Sequence, residues 1–123
     1  MRYLTDRKRA EGRGAARSGT QHHWYMQVSA VGLALIVPLL IYIVGSAMGG
    51  THADVTATFS RPVPAILMGL GLVVGMQHFR HGAQMMIEDY FRKSTKKALI
   101  MLVITLSYGI TATGLFALAK IAL

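Results

Sequence analysis

The sequence predicts an all-α membrane protein with three transmembrane helices. Of its 123 residues, 53% are hydrophobic and 15% are charged, and the apolar residues form three runs that are each long enough to cross a bilayer. A soluble domain of this size would break its apolar residues into shorter periodic stretches. The chain has no cysteine, which excludes disulfides, a thiol nucleophile and iron–sulfur ligation by this chain.

Basic residues, which give the chain a formal charge of +8, are concentrated in two places. Ten of the thirteen lie there: six precede the first span (Arg2, Arg7, Lys8, Arg9, Arg13 and Arg17) and four separate the second span from the third (Arg92, Lys93, Lys96 and Lys97). In a soluble protein this charge would indicate nucleic-acid binding, but in a membrane protein it marks the flanks that stay inside. We therefore expect the N-terminus inside, the C-terminus outside and no nucleic-acid partner.

Residues 1–20 are polar, basic and rich in glycine, and we expect them to form an irregular arm. Asp6 and Glu11 argue against a mitochondrial transit peptide, which is poor in acidic residues. The arm could contact lipid head groups or a partner surface, and the sequence does not discriminate between them. Residues 21–123 are expected to form the transmembrane anchor.

The first span is expected at about residues 24–48. It starts with an aromatic pair suited to the headgroup region, and Pro38 within it should kink the helix. A Gly-Gly pair ends it. Residues 49–60 then form a short loop, and because this loop has no Lys or Arg we expect it outside.

The second span is expected at about residues 61–90, with Pro64 in its first turn, where a missing N–H matters little. The third span is expected at about residues 98–118, and Lys120 can snorkel to the far interface. Residues 91–97 between these spans are basic, so they lie on the same side as the N-terminus.

The second span carries polar residues at a depth where ionisable groups are expensive and usually functional. His78 lies eleven residues before Asp89, about 16 Å along a helix, which would put an imidazole in the hydrocarbon and a carboxylate at the water boundary. At about 100° per residue, one stripe of the helix joins these two residues to Gly71, Gly75, Gly82 and Met85. The glycines leave a shallow groove that suits either a flat macrocycle or a close helix crossing.

Two interpretations of His78 remain open: a neutral histidine hydrogen-bonded between helices, or an axial haem ligand through a neutral ring nitrogen. His81, three residues later on the same helix, cannot approach the opposite face of the same haem. A six-coordinate haem would then need its second ligand from another subunit. Asp89 and Tyr90 fit either an ordinary helix end at the head groups or a quinone site, in which the tyrosine hydroxyl donates to a carbonyl and the carboxylate orients neighbours or feeds protons.

The remaining polar residues have plainer interpretations. Arg80 and Glu88, with Gln84 between them, are expected to form a polar stripe that faces partner helices, without direct contact between Arg80 and Glu88. Surface histidines are expected at His22, His23 and His52. The sequence has no phosphate-binding loop, no zinc spacing and no nucleophile beside a base, so we expect no catalytic centre wholly within this chain.

Several motifs resemble the hydrophobic membrane anchors of succinate dehydrogenase (complex II) in its bacterial form. The run HFRHG at 78–82, followed by Asp-Tyr at 89–90 on the second of three spans, is fairly specific. Residues 19–24 and 27–30 resemble the family's approach to its first helix, and IEDY at 87–90 resembles its alphaproteobacterial and mitochondrial variants. The similarity covers most of the chain.

The resemblance implies an anchor that, with a second hydrophobic anchor of the cytochrome b type, forms a heteromeric helix bundle in the bacterial inner (cytoplasmic) membrane. These anchors hold a flavoprotein subunit and an iron–sulfur subunit, which carry FAD and iron–sulfur clusters, on the inner face. The resemblance further implies that His78 ligates a haem b shared between the anchors, and that Tyr90 and Asp89 bind ubiquinone. The chain would thus serve a succinate:quinone oxidoreductase of the tricarboxylic acid cycle without being catalytic alone.

One position departs from the family pattern. Related anchors place an arginine near the start of the first helix, where it pairs with a haem propionate, whereas this chain has Gln27, which can hydrogen-bond a carboxylate but cannot neutralise it. Arg17 is an alternative for that contact, and His81 is an alternative iron ligand after a one-turn shift. Other functions also remain open: a non-redox scaffold or assembly subunit, a small transporter built on the polar residues of the second span, or an anchor working in the fumarate-reducing direction.

Overall fold

A computed structural model describes residues 5–7 and 19–123 of the chain. From residue 19 onward it contains four α-helices, α1 (Gly19–Ala47), α2 (His52–Phe59), α3 (Pro62–Tyr90) and α4 (Lys93–Ala122), and none of the described residues forms a strand. Helices α1, α3 and α4 are each long and apolar enough to cross a bilayer. The all-α class with three spans is therefore confirmed, and the chain is a multi-pass membrane protein. Most of the expected arm, including Arg17, lies outside the described residues.

Helix α1 starts before its expected boundary and α4 extends past both of its boundaries, whereas α3 lies within its expected range of residues 61–90. Helix α1 begins at Gly19 and continues unbroken through Pro38, and α4 begins at Lys93. Hydropathy marks only the part of a helix that faces lipid, whereas backbone hydrogen bonding continues into the polar flanks. Residues just before the first apolar run, such as His22, are therefore helical, and the helix fixes the direction in which their side chains point.

Residues 49–60 were expected to form a loop, and this prediction was wrong in one respect, because they contain the short helix α2. Thr51 is the N-cap of this helix and forms a capping box with Asp54: the Asp54 amide donates to Thr51 Oγ1 at 3.3 Å, and the Thr51 amide donates to Asp54 Oδ2 at 2.7 Å. The hydrogen bonds from Thr51 hold the pKa of the Asp54 carboxyl below its ordinary value. An ionised Asp54 thus accepts from the Thr51 amide, and Thr51 Oγ1 satisfies the Asp54 amide, which would otherwise be left open at the start of α2.

Helix α3 is the centre of the fold, since it packs against both α1 and α4, which do not contact each other within the described residues. The glycine stripe of α3 faces α1. A Cβ at Gly71 would overlap the Leu40 side chain, while Gly75 and Gly82 lie in ordinary contact range of α1 side chains. Of the two uses open for these glycines, the structure shows a close helix crossing.

The opposite side of α3 packs against α4 in the same manner. Gly114 of α4 faces Leu72 of α3, whose Cδ2 lies 2.5 Å from the position that a Cβ would take. The two helices are joined by a tight connection in which Lys93 has φ 53°, a left-handed conformation that side chains rarely adopt. The three spans therefore follow one another in the order α1–α3–α4, with α3 between the other two, and parts of α3 stay exposed to lipid or to partner chains.

Burial in this row is slight. Among the described residues, only Ser29, Ala47, Ala65, Ile87 and Ser107 are buried, and large apolar side chains are exposed along all three spans. A bilayer can cover such apolar side chains, but it cannot satisfy exposed polar groups at membrane depth. The polar side chains of α3 are therefore the residues whose surroundings need explanation.

Candidate functional site

His78 is held by a hydrogen bond to the first span. Its Nδ1 lies 2.8 Å from Oγ of Ser29, and the Ser29 hydroxyl donates to the Met26 carbonyl oxygen at 3.0 Å. Because serine has one hydroxyl proton, Nδ1 must be the donor in the contact with Ser29. That assigns the proton to Nδ1 and leaves a lone pair on Nε2, which accepts no hydrogen bond from any described residue.

Ser29 is the one residue of this arrangement that sequence reasoning did not single out as functional. It is 7% exposed and lies on α1, 49 residues before His78. A serine bonded to a carbonyl three residues earlier is common in membrane helices, so it gives little signal of its own. The available signal was a small polar residue in an apolar helix at the same depth as His78.

His81, the alternative iron ligand, has both ring nitrogens engaged. Nδ1 donates to the Gln77 carbonyl oxygen at 2.8 Å, which leaves Nε2 to accept from Nη2 of Arg80 at 3.3 Å. The ring also stacks obliquely on Tyr25, with ring centroids 4.5 Å apart. His78 and His81 are therefore chemically distinct, because of these two residues only His78 keeps a ring nitrogen whose lone pair accepts no hydrogen bond from a described residue.

His22 differs from the surface histidine expected at its position. It is half-buried, its ring centroid lies 5.0 Å from that of His81, and its Nε2 is buried without a partner among the described residues. The physical reason is that α1 starts at Gly19, so His22 is on the first turn of the helix and faces α3. His23 and His52 are exposed, as expected.

Arg80 lies on the side of α3 that faces α4. Its Nη1 donates to the Tyr108 hydroxyl at 3.1 Å, and the guanidinium carbon lies 5.5 Å from the Tyr108 ring centroid. Its Nε is buried and has no partner among the described residues. Arg80 does not bond to Glu88, whose carboxylate accepts instead from Gln84 at 2.9 Å.

Asp89 and Tyr90 are the last two residues of α3 and project from the bundle. Both side chains are exposed, Tyr90 at 80%. Tyr90 is twelve residues beyond His78, about 18 Å along the helix axis. The structure thus separates the two candidate sites along one helix.

Gln27, the proposed propionate contact, has an exposed side chain on α1. It makes no hydrogen bond with another described side chain. Its amide is therefore free to meet a ligand or a partner subunit. The other residue considered for this contact, Arg17, cannot be compared with it because it lies outside the described residues.

The donor set fits an iron held in a macrocycle better than a bare ion. Among the described residues, no group of three His, Cys, Asp or Glu side chains is arranged to hold a metal. A single neutral imidazole nitrogen beside a satisfied Nδ1–H is what an axial ligand of haem iron requires, because the macrocycle supplies the equatorial ligands.

Comparisons with known proteins agree with one another. The chain is 45% identical over 123 residues to the succinate dehydrogenase hydrophobic membrane anchor subunit of Paracoccus denitrificans, covering 100% of this chain and 95% of that protein. It is 30% identical over 86 residues to the protein of the same name from Rickettsia bellii (strain RML369-C), covering 67% of this chain and 66% of that protein. No solved structure shows a significant match. Residues 1–112 match the family described as succinate dehydrogenase/fumarate reductase transmembrane subunits, and the chain belongs to this family.

Proposed function

We propose that this chain is a hydrophobic membrane anchor of succinate dehydrogenase that helps to bind haem b and ubiquinone. Its family and its 45% identity to a succinate dehydrogenase anchor support the anchoring role. Its partners would be a second hydrophobic anchor, an iron–sulfur subunit and a flavoprotein subunit. The positive flanks support an orientation in the bacterial inner membrane with the N-terminus inside and the C-terminus outside.

The observation that carries the haem proposal is the hydrogen bond between His78 and Ser29. The Ser29 hydroxyl oxygen accepts from Nδ1 at 2.8 Å, and this fixes both the tautomer and the orientation of the ring while leaving Nε2 available to iron. The engaged nitrogens of His81 favour His78 as the ligand. A bound haem b supplies a one-electron carrier at this depth.

The second axial ligand would come from the partner anchor. Among the described residues, the other histidines lie elsewhere: His22 and His81 stack on each other, and His23 and His52 are exposed. Because α1 and α4 do not contact each other, they also leave part of α3 exposed for a partner helix. The exposed Gln27 amide could hydrogen-bond a propionate, without neutralising its charge.

The quinone site is proposed at the end of α3. The Tyr90 hydroxyl would donate to a quinone carbonyl, and Asp89 would orient its neighbours or deliver protons. Reduction of a quinone takes up two electrons and two protons, so its site needs access to water, which the exposure of both side chains supports. Because Tyr90 is 80% exposed in this chain, partner subunits would have to form the rest of the site.

A pair of matched variants tests the haem ligand. The detergent-purified complex would be compared as wild type, His78→Ala and His81→Ala by reduced-minus-oxidised visible spectra. We expect His78→Ala to lose or shift the b-type α-band, and His81→Ala to keep it. An unchanged spectrum in His78→Ala, or loss of the band only in His81→Ala, would contradict the assignment.

A further inference from the structure

Arg80 is a cation whose charge no described residue neutralises. Its Nη1 donates to the Tyr108 hydroxyl and its Nη2 to His81, and both partners are uncharged in these hydrogen bonds. Its Nε is buried without a described partner, and no described carboxylate forms an ion pair with it. A guanidinium held between membrane helices without a counter-charge is expensive. An anion from outside the described residues would therefore stabilise the charge of Arg80.

Arg80 follows His78 by two residues on the side of α3 nearer the N-terminal face of the membrane, and its long side chain can extend toward the boundary on that face. The next residue, His81, stacks on Tyr25 and His22, which belong to the aromatic and histidine-rich start of α1. Aromatic residues at a span end mark the level of the head groups. The guanidinium end of Arg80 can reach this level because long basic side chains snorkel toward it.

The position of Arg80 around α3 separates its anion from any ligand of His78. The two residues are about 200° apart around the helix. His78 bonds to α1 through Ser29, whereas Arg80 bonds to α4 through Tyr108. An anion at Arg80 therefore lies on the other side of α3 from the free Nε2 of His78.

Apolar side chains continue from Arg80 toward the middle of the bilayer. Val73 and Ile66 precede Arg80 by seven and fourteen residues, so they fall within about 40° of it around α3. Ile66 is 61% exposed, and its neighbour on this face, Leu70, is 47% exposed. A ligand that fits this surface has an anionic head at the boundary and an apolar chain that runs inward.

We propose that Arg80 binds the phosphate of a phospholipid in the leaflet on the N-terminal side. Tyr108 and His81 hold the guanidinium, the second N–H groups of Nη1 and Nη2 donate to phosphate oxygens, and an acyl chain lies along Val73 and Ile66. Charge-assisted hydrogen bonds from a guanidinium to phosphate are among the stronger ones in proteins. Basic pockets between transmembrane helices are also a recurrent kind of lipid headgroup site.

The test measures lipid binding to the intact complex. Wild-type and Arg80→Gln complexes would be stripped of lipid in detergent, titrated with dioleoylphosphatidylglycerol and analysed by native mass spectrometry. The matched control is Arg92→Gln, which removes the same charge from an exposed side chain in the α3–α4 connection. We expect the tightest lipid adduct to weaken by about tenfold in Arg80→Gln, the loss expected for a charge-assisted bond, and to be unchanged in Arg92→Gln.

A second variant keeps the proposal testable if Arg80→Gln fails to assemble. Tyr108→Phe retains the charge and the helix packing but removes the hydroxyl that holds Nη1, and we expect a smaller, severalfold loss of the same adduct. Wild-type binding in the assembled Arg80→Gln complex would overturn the proposal, and so would equal losses in Arg80→Gln and Arg92→Gln. A shifted haem spectrum in Arg80→Gln with unchanged lipid binding would also overturn it, since the anion would then be a haem carboxylate.

Discussion

Replacing Ser29 by alanine tests how His78 is held. The Ser29 hydroxyl oxygen accepts from Nδ1 of His78 at 2.8 Å, and Ser29 is only 7% exposed, so water cannot easily replace it. The variant would leave a partly buried N–H without its acceptor, at a cost of about 1–3 kcal/mol. Loss of a hydrogen-bond partner behind a metal ligand typically lowers metal affinity by about 10–100-fold. We therefore expect Ser29→Ala to weaken haem binding by at least about tenfold.

The assay for Ser29→Ala is haem content per purified complex, together with the rate at which haem transfers to a soluble acceptor protein. Ser46→Ala is a matched control, because Ser46 lies on the same helix and donates to the carbonyl three residues earlier at 2.8 Å, but is exposed and does not contact His78. The expected result is faster haem transfer in Ser29→Ala alone. Equal transfer rates and haem contents in the two variants would refute the role of Ser29.

Three further predictions concern other parts of the chain. Tyr90→Phe should lower quinone reductase activity severalfold and leave succinate oxidation by an artificial dye intact. The control is Tyr42→Phe, which changes a similarly exposed tyrosine on α1 and should alter neither activity. Equal loss of both activities in Tyr90→Phe would indicate an assembly defect. Gly71→Ala should lower the free energy of unfolding by about 1–3 kcal/mol because its Cβ would overpack against α1. Gly109→Ala is the control and should leave stability unchanged, because a Cβ at Gly109 meets open space. Thermal unfolding of the complex measures the stability of each variant. The pKa of Asp54 is lower in the folded chain than its ordinary value of 3.8, so the stabilisation of α2 by the ionised carboxylate is fully present above that value. This stabilisation is lost as the pH falls through the lower, folded pKa, and amide exchange in α2 should then accelerate. Asp54→Asn should remove this pH dependence.

The three spans could be predicted because apolar residues predominate over a bilayer-spanning length in each of them, which is a local property of the sequence. Helix α2 was missed because its signal is only the capping pair Thr51 and Asp54 within a short polar stretch. His22 was assigned to the surface because the side of α1 on which it lies depends on where that helix begins. Hydropathy does not locate a helix start in the polar flank. Helices that contact lipid were thus predicted correctly, because lipid contact dictates their composition. Helix starts and short helices that depend on hydrogen bonding alone were not predicted.

The candidate site was predictable in its residues but not in its partners. His78 could be found because an imidazole in an apolar span is unusual. Its contact with Ser29 could not, because the two residues are 49 positions apart and meet only when α1 and α3 pack. The same holds for Gly71, whose use in helix packing is decided by Leu40 on the facing helix.

The most direct test of the proposed function is a reduced-minus-oxidised visible spectrum of the detergent-purified complex, run beside a gel of its subunits. The proposed function predicts a b-type α-band, two larger soluble partners and a second small hydrophobic subunit. The same partners without haem would contradict the role of His78 while leaving the anchor and the quinone site. The absence of both haem and partners would contradict the proposed function as a whole.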